Sequence, residues 1–147
     1  GSMLPLGISS LINNLRSHWR GAIGIHAHDN LKKAIDNTLQ AINENANWVD
    51  STVTGMGRGP GNVQTEYLLI EMENIKKKKI DILPLLNLIK KYFETLKNKY
   101  EWGTNTYYYM SGKYGIHPTY IQEMLAKNYS EPELLTAIEQ LKISYLT

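Results

Sequence analysis

Between Ala22 and His28 the chain alternates strictly, with Ile23, Ile25 and Ala27 on one side and Gly24, His26 and His28 on the other. A period of two marks an extended segment with one buried face. The segments on either side follow a different period. Ile8, Leu11, Ile12, Leu15 and Trp19 recur at spacings of three and four, which predicts a short helix ended by Arg20-Gly21. After the strand, Asp29 or Asn30 can cap a second helix, whose buried stripe reads Leu31, Ala34, Ile35, Thr38, Leu39, Ile42 and Ala46. A second strand is predicted over Trp48 to Thr54, with Val49 and Val53 on one face and Asp50, Thr52 and Thr54 on the other. It runs into Gly55-Met56-Gly57-Arg58-Gly59-Pro60-Gly61, which demands a loop. A third helix follows from Asn62 to Glu73 around Val63, Leu68, Leu69 and Met72. Helices alternating with strands over short connections predict parallel βα units, in which the carboxyl ends of the strands face a common site. His26, His28 and the glycine loop all fall at such ends.

From about residue 74 the pattern becomes helical. Lys76 to Lys79 reads as a solvated connection rather than a nucleic-acid contact, and Asp81 can cap a helix carrying Ile82, Leu85, Leu86, Ile89, Phe93 and Leu96. Trp102 with Tyr107, Tyr108 and Tyr109 forms an aromatic cluster suited to packing against a helix or a second subunit. His117 precedes Pro118, which suits the first turn of a helix running to about Lys127, and the histidine reads as its cap. Ser130-Glu131-Pro132-Glu133 matches a capping box and opens a last helix through Leu134, Leu135, Ile138 and Leu141. Gly1-Ser2-Met3 reads as the remnant of a cleaved tag. The expected division is therefore residues 1–3 as tag remnant, 4–75 as a βα segment, and 76–147 as a helical subdomain.

Composition excludes several function classes. A net charge of +2 over 147 residues gives no electrostatic case for nucleic acid. There is no cysteine, so disulfides, thiolate metal sites and cysteine nucleophiles are excluded, and His, Asp, Glu and Asn must carry any metal chemistry. No apolar run approaches the ~20 residues that span a bilayer. The expectation is a soluble cytoplasmic protein with no membrane partner.

Two residues apart on a strand, side chains project to the same face about 6.6 Å apart, so two imidazoles can converge on one cation. A bare His-X-His is also an ordinary pair of polar residues. Here the pair ends a strand, precedes Asp29-Asn30, and is followed after one βα unit by the glycine loop ending in Gly61-Asn62. Imidazole with oxygen ligands suits a divalent ion such as manganese, magnesium or zinc, able to polarise a 2-keto acid. The loop lacks the Lys-Ser/Thr of a P-loop and the spacing of Gly-X-Gly-X-X-Gly, although Arg58 and the following helix start could attract an anion.

The stretch Gly24-Ile25-His26-Ala27-His28-Asp29-Asn30, continuing through Asn37-Thr38 and Ala41 to Val49-Asp50-Ser51-Thr52-Val53-Thr54-Gly55-Met56-Gly57 and Gly61-Asn62, resembles the end of the barrel in the DRE-TIM metallolyases. That family includes HMG-CoA lyase and 4-hydroxy-2-oxovalerate aldolase. The resemblance spans residues 21 to about 70, and Lys113-Tyr114-Gly115-Ile116 looks like part of the helical extension of the aldolase members. It implies an α/β fold: two parallel βα units from the end of a TIM-like barrel plus a C-terminal helical subdomain. It implies His26, His28 and Asn62 as metal ligands, and Thr54, Gly55, Gly57 and Asn62 as residues beside the substrate. Tyr107, Tyr108 and Tyr109 lie where aldolase members carry a tyrosine that can act on substrate. The family's metal-binding aspartate and neighbouring arginine, on the first strand, have no counterpart here. The resemblance thus implies the C-terminal part of a divalent-metal-dependent aldolase or lyase, cleaving 4-hydroxy-2-keto acids through a pyruvate enolate and inactive in isolation. Bare strand edges predict a homo-oligomer. The alternative is a non-catalytic dimerisation or partner-docking module.

Overall fold

The computed structural model describes residues 2–146, with side chains through residue 142; Gly1 of the expected tag remnant and Thr147 lie outside the described residues. Helix α1 spans Pro5–His18 and starts on a proline, whose fixed φ and missing N–H suit a first turn. Only Ile8 and Ile12 of its predicted stripe are buried, whereas Leu11, Leu15 and Trp19 are exposed. Trp19 leaves the helix in an extended conformation, and its indole N–H donates to the Ala22 carbonyl at 3.0 Å. Met3 is engaged by the fold, since its carbonyl accepts from the buried Asn37 amide at 2.9 Å.

The strands are shorter than the alternation predicts. Strand β1 is Gly24–Ile25 and β2 is Trp48–Val49, paired in parallel with Gly24 opposite Trp48 and Ile25 opposite Val49. The reason lies in the return of the glycine loop. Val63 inserts between the ends of both strands: its N–H donates to the Ala27 carbonyl at 3.1 Å and its carbonyl accepts from Thr52 N–H at 3.0 Å. Residues 27–29 and 52 therefore bond to residues 61–65 instead of to each other, as bridges from His28 to Asn62 and from Thr52 to Gln64. The alternation of faces survives even so. Ile23 and Ala27 are buried and Ile25 is half-buried, while Gly24, His26 and His28 are exposed.

Helix α2, Ala34–Asn43, starts three to four residues later than a cap at Asn30 or Asp29 would suggest, because Lys32 adopts a left-handed conformation at φ 55° and the chain turns there. Asp29 still serves the helix, accepting from Ala34 N–H at 2.9 Å. Its deepest positions are the small Ala34, Asn37, Thr38 and Ala41, with Leu39 and Ile42 only half-buried, so α1 can lie close across it. Ile8, Ile12, Ile23 and Ala41 form one core cluster, and Ala27, Ala34 and Val63 form a second under the strand ends. Helix α3 is Thr65–Lys76, beginning later than predicted because Asn62–Gln64 is extended between the strands.

Beyond the exposed lysines, α4 (Leu83–Leu88), a π-helical turn (Ile89–Phe93) and α5 (Glu94–Tyr100) run on as one rod. Asp81 accepts from Leu83 N–H at 3.1 Å, as a cap should. The predicted stripe of Ile82, Leu85, Ile89, Phe93 and Leu96 is only half-buried, and Leu86 is exposed. Helices α6 (Thr106–Lys113), α7 (Pro118–Ala126) and α8 (Glu131–Leu146) build a separate core around Tyr108, Ile116, Ile121 and Ile138. The glutamate half of the capping box forms, with Glu133 accepting from both Ser130 N–H and Ser130 Oγ at 2.7 Å. The architecture is α/β, a two-stranded parallel sheet surrounded by helices. Among the described residues no helix is long and apolar enough to cross a membrane.

Ile138 is fully buried whereas Leu135 is 45% exposed on the same helix. Ile138→Ala is expected to destabilise the chain by about 2–5 kcal/mol, and Leu135→Ala by less than about 0.5 kcal/mol. Urea unfolding of both variants checks this, and equal losses would refute the assigned packing of α8.

Candidate metal centre

Burial of Ile23 and Ala27 against the helices turns His26 and His28 to the opposite face of the extended segment. Their rings lie 4.9 Å apart between centroids with an interplanar angle of 80°. The parallel register that sets Ile25 beside Val49 brings Asp50 alongside His26, and Asp50 Oδ2 lies 3.2 Å from His26 Nδ1. A carboxylate can only accept, so Nδ1 carries the proton and the Nε2 lone pair is left free. Strand parity and register could have suggested this partner from sequence; the charge of Asp50 alone did not.

His28 is held by its backbone bridge to Asn62. Burial lowers its pKa first, and the neighbouring His26 lowers it further, outweighing the opposing influence of the Gly61 backbone and the Asn62 side chain. The neutral ring is the form that can donate a lone pair. The Asn62 Nδ2 donates to the Met56 carbonyl at 3.2 Å, which aims Oδ1 inward. Asn62 Oδ1 is buried and has no hydrogen-bond partner among the described residues. An unpaired buried acceptor costs about 1–3 kcal/mol unless something else satisfies it. Two imidazole nitrogens and one orphaned amide oxygen make a donor set that fits a divalent cation. Among the described residues, no group of three or more His, Asp or Glu gathers to hold such an ion.

Gly57 belongs to this arrangement by lacking a side chain, because a Cβ there would overlap Asn62 Nδ2. Thr54 and Gly55 lie elsewhere on the loop. With Asn62 they wall a cleft of about 380 Å³ that also includes Asp29, Lys32, Gln64, Lys97 and Trp102. Burial raises the Asp29 pKa above the ordinary carboxylate value, partly opposed by the hydrogen bond from Ala34. Thr54 has φ 54°, a left-handed conformation that a β-branched residue adopts at a cost of about 1–3 kcal/mol. Two long-range contacts hold it there. Glu66 Oε2 accepts from Thr54 N–H at 3.0 Å, and the Trp102 indole donates to the Thr54 carbonyl at 3.1 Å. Neither clamp has a local sequence signature.

The three tyrosines separate in space. Tyr108 is buried with its ring against Gly59, Tyr107 is half-buried, and Tyr109 is exposed. Burial raises the Tyr108 pKa, and the charge of Arg58 pulls it back. His117 caps α7, its Nδ1 accepting from Thr119 N–H at 3.3 Å.

Comparison with known proteins gives this geometry a setting. The model of the HMGL-like family matches residues 1–91. The 4-hydroxy-2-oxovalerate aldolase of Brevibacillus brevis is 40% identical over 75 residues, which cover 51% of this chain and 22% of that protein. The protein of the same name from Carboxydothermus hydrogenoformans is 44% identical over 69 residues, covering 47% and 20%. The chain thus spans about a quarter or less of these curated relatives. A solved structure, "Crystal structure of the N-terminal domain of a putative aldolase from Bacteroides vulgatus", superposes with a TM-score of 0.81 at 33% identity, covering 93% of this chain and 45% of that one.

A pH dependence follows from the His28 environment. With a folded pKa below the ordinary 6.5, the unfolded chain takes up the proton first as the pH falls through and below that value, so stability is lost on the acid side. His28→Gln is expected to flatten the decline between about pH 7 and about pH 5 in urea unfolding. Parallel slopes for variant and wild type would contradict the assignment.

Proposed function

The chain belongs to the HMGL-like family of aldolases and lyases, and on that premise we propose that it is the C-terminal part of a divalent-metal-dependent aldolase. Its reaction is the cleavage of a 4-hydroxy-2-keto acid to pyruvate and an aldehyde, or the reverse, through a pyruvate enolate. On this reading β1 and β2 are the last strands of a TIM-like barrel, residues 4–75 are its closing segment, and residues 76–147 are a helical subdomain. The observation that carries the reading is the pair of imidazoles on one face, with Asn62 bridged to His28 and its Oδ1 buried without a hydrogen-bond partner among the described residues.

His26, His28 and Asn62 would hold the ion, which when bound supplies a Lewis acid for the keto oxygen. The remaining work falls to the chain's own groups. Asp50 fixes the His26 ring and its tautomer through Nδ1, and the Met56 carbonyl fixes the Asn62 amide. Thr54, Gly55, Gly57 and Asn62 lie along the substrate, with the loop kept in one shape by Glu66 and Trp102. The aspartate and arginine that the family carries on its first strand would complete the centre. Loss of such an electrophile typically costs 10² to 10³ in rate, so turnover by the 147 residues alone is expected to be negligible. The ion is manganese, magnesium or zinc.

A docking role for the piece itself is favoured by one observation: the rod from Leu83 to Tyr100 keeps its apolar stripe half-exposed, and Leu83, Leu86 and Leu88 are exposed beside it. A second copy covering that surface would make the chain a homo-oligomer.

Manganese titration by calorimetry tests the centre. The wild-type chain is expected to bind one ion, the double variant His26→Ala, His28→Ala to lose binding, and Asp50→Asn to bind about 10- to 100-fold more weakly. Equal binding by all three would remove the proposal. Joined to the missing barrel strands, the chain is expected to release pyruvate from a 4-hydroxy-2-keto acid, and His26→Ala to abolish that release.

A further inference from the structure

A second cavity, of about 360 Å³, lies between the glycine loop and the turn joining α6 to α7. His28 forms part of its wall, so it adjoins the candidate metal centre. The polar side chains around it include Asn30, Arg58, His117 and Gln122, and among the described residues no carboxylate borders it. A cavity lined only by neutral and cationic groups has a positive potential, and low-dielectric walls concentrate it.

Two features of the wall lack internal explanation. Asn30 is only 3% exposed, yet among the described residues no hydrogen bond engages its side-chain amide; its backbone carbonyl alone is used, accepting from Thr104 Oγ1 at 3.0 Å. The residue lines the cavity, where a ligand or water can complete its amide. Arg58 has no carboxylate partner among the described residues either. Among the described residues its guanidinium makes one hydrogen bond, a long one of 3.5 Å from Nη2 to Thr119 Oγ1, which leaves most of its five donors unused. The start of α7 does not itself supply donors. Pro118 has no N–H, Thr119 N–H is capped by His117 Nδ1, and Tyr120 N–H bonds to the His117 carbonyl. Any anion here would be met by side chains.

We propose that this cavity binds an anionic group, a carboxylate or a phosphate ester, at the end of the substrate remote from the keto acid. Arg58 supplies the charge and the paired donors, and Asn30 supplies a buried amide. That the anion belongs to the substrate rests on the aldolase reading above; the anion site itself does not. A two-carbon aldehyde would leave Arg58 and Asn30 unpaired and most of the cavity empty. An aldehyde that carries its own anion satisfies both, with the bond that breaks lying toward His28. Specificity would then reside in the donors, because a site built around unpaired polar groups rejects a ligand that cannot satisfy them.

The test is titration of the 147-residue chain at low salt with inorganic phosphate and, separately, with malonate, followed by amide chemical shifts. Saturable shifts around Asn30, Arg58 and His117 are expected. The tighter of the two anions identifies the group as phosphate or carboxylate. Arg58→Gln, at an exposed position, is expected to weaken binding by at least about tenfold, and Arg58→Lys by less, since it keeps the charge but not the fork. Lys90→Gln, at an exposed position that lines neither cavity, is expected to change nothing. Unsaturable shifts, or equal affinity in Arg58→Gln, would overturn the proposal. Manganese titration of the same samples separates the two readings. Ion binding that persists in Arg58→Gln without anion binding in wild type sinks the cavity alone, whereas anion binding without ion binding sinks the metal centre and leaves the cavity standing.

Discussion

The two hydrogen bonds of Val63 organise the functional end of this molecule. By donating to Ala27 and accepting from Thr52, its backbone ties the ends of both strands together, and its side chain is 1% exposed in the cluster with Ala27 and Ala34. Each hydrogen bond contributes only about 0.5–1.5 kcal/mol net, but leaving either group buried and unpaired would cost more than making the bond gains. That asymmetry fixes the register of the loop's return. Asn62 is then set opposite His28, and its amide oxygen is buried there without a hydrogen-bond partner among the described residues.

The glycine loop is constrained along its whole length. Gly61 has φ 76°, and a Cβ there would strike the Gly55 carbonyl, which itself accepts from Asn62 N–H at 3.1 Å. Thr54 is the costly position, since no glycine relieves it. A charge-assisted bond from Glu66 is worth about 1.5–3 kcal/mol and a neutral one from Trp102 about 1 kcal/mol, together enough to offset the left-handed strain. The loop is thereby shaped by α3 on one side and by the segment after α5 on the other.

Local patterns were legible where the physics is local. The faces of residues 22–28 follow from a period of two, and the Ser130–Glu133 box and the His117 cap from side chains reaching their own backbone. The strands are shorter than the alternation suggests because Val63, far along the chain, takes the partners that Ala27 and Thr52 would otherwise offer a strand. The stripe of α1 was read as wide because Leu11 and Leu15 look apolar, although burial goes to Ile8 and Ile12 where α2 is thin. The histidine pair and the glycine loop stood out in sequence. Asp50, Glu66, Trp102 and Asn30 did not, since each acts across a fold that composition and periodicity do not encode.

Three consecutive residues join the helical part of the chain to the strand ends: Trp102 bonds to Thr54, Gly103 N–H to the Gly59 carbonyl at 3.0 Å, and Thr104 to the Asn30 carbonyl. Such a seam couples the two parts. Release of α6–α8 would strip the loop of its anchors together, so the two should exchange amide protons as one cooperative unit rather than in succession. Length changes in homologues would accordingly be confined to either side of residues 102–104, because a single inserted residue would misalign every tie downstream of it.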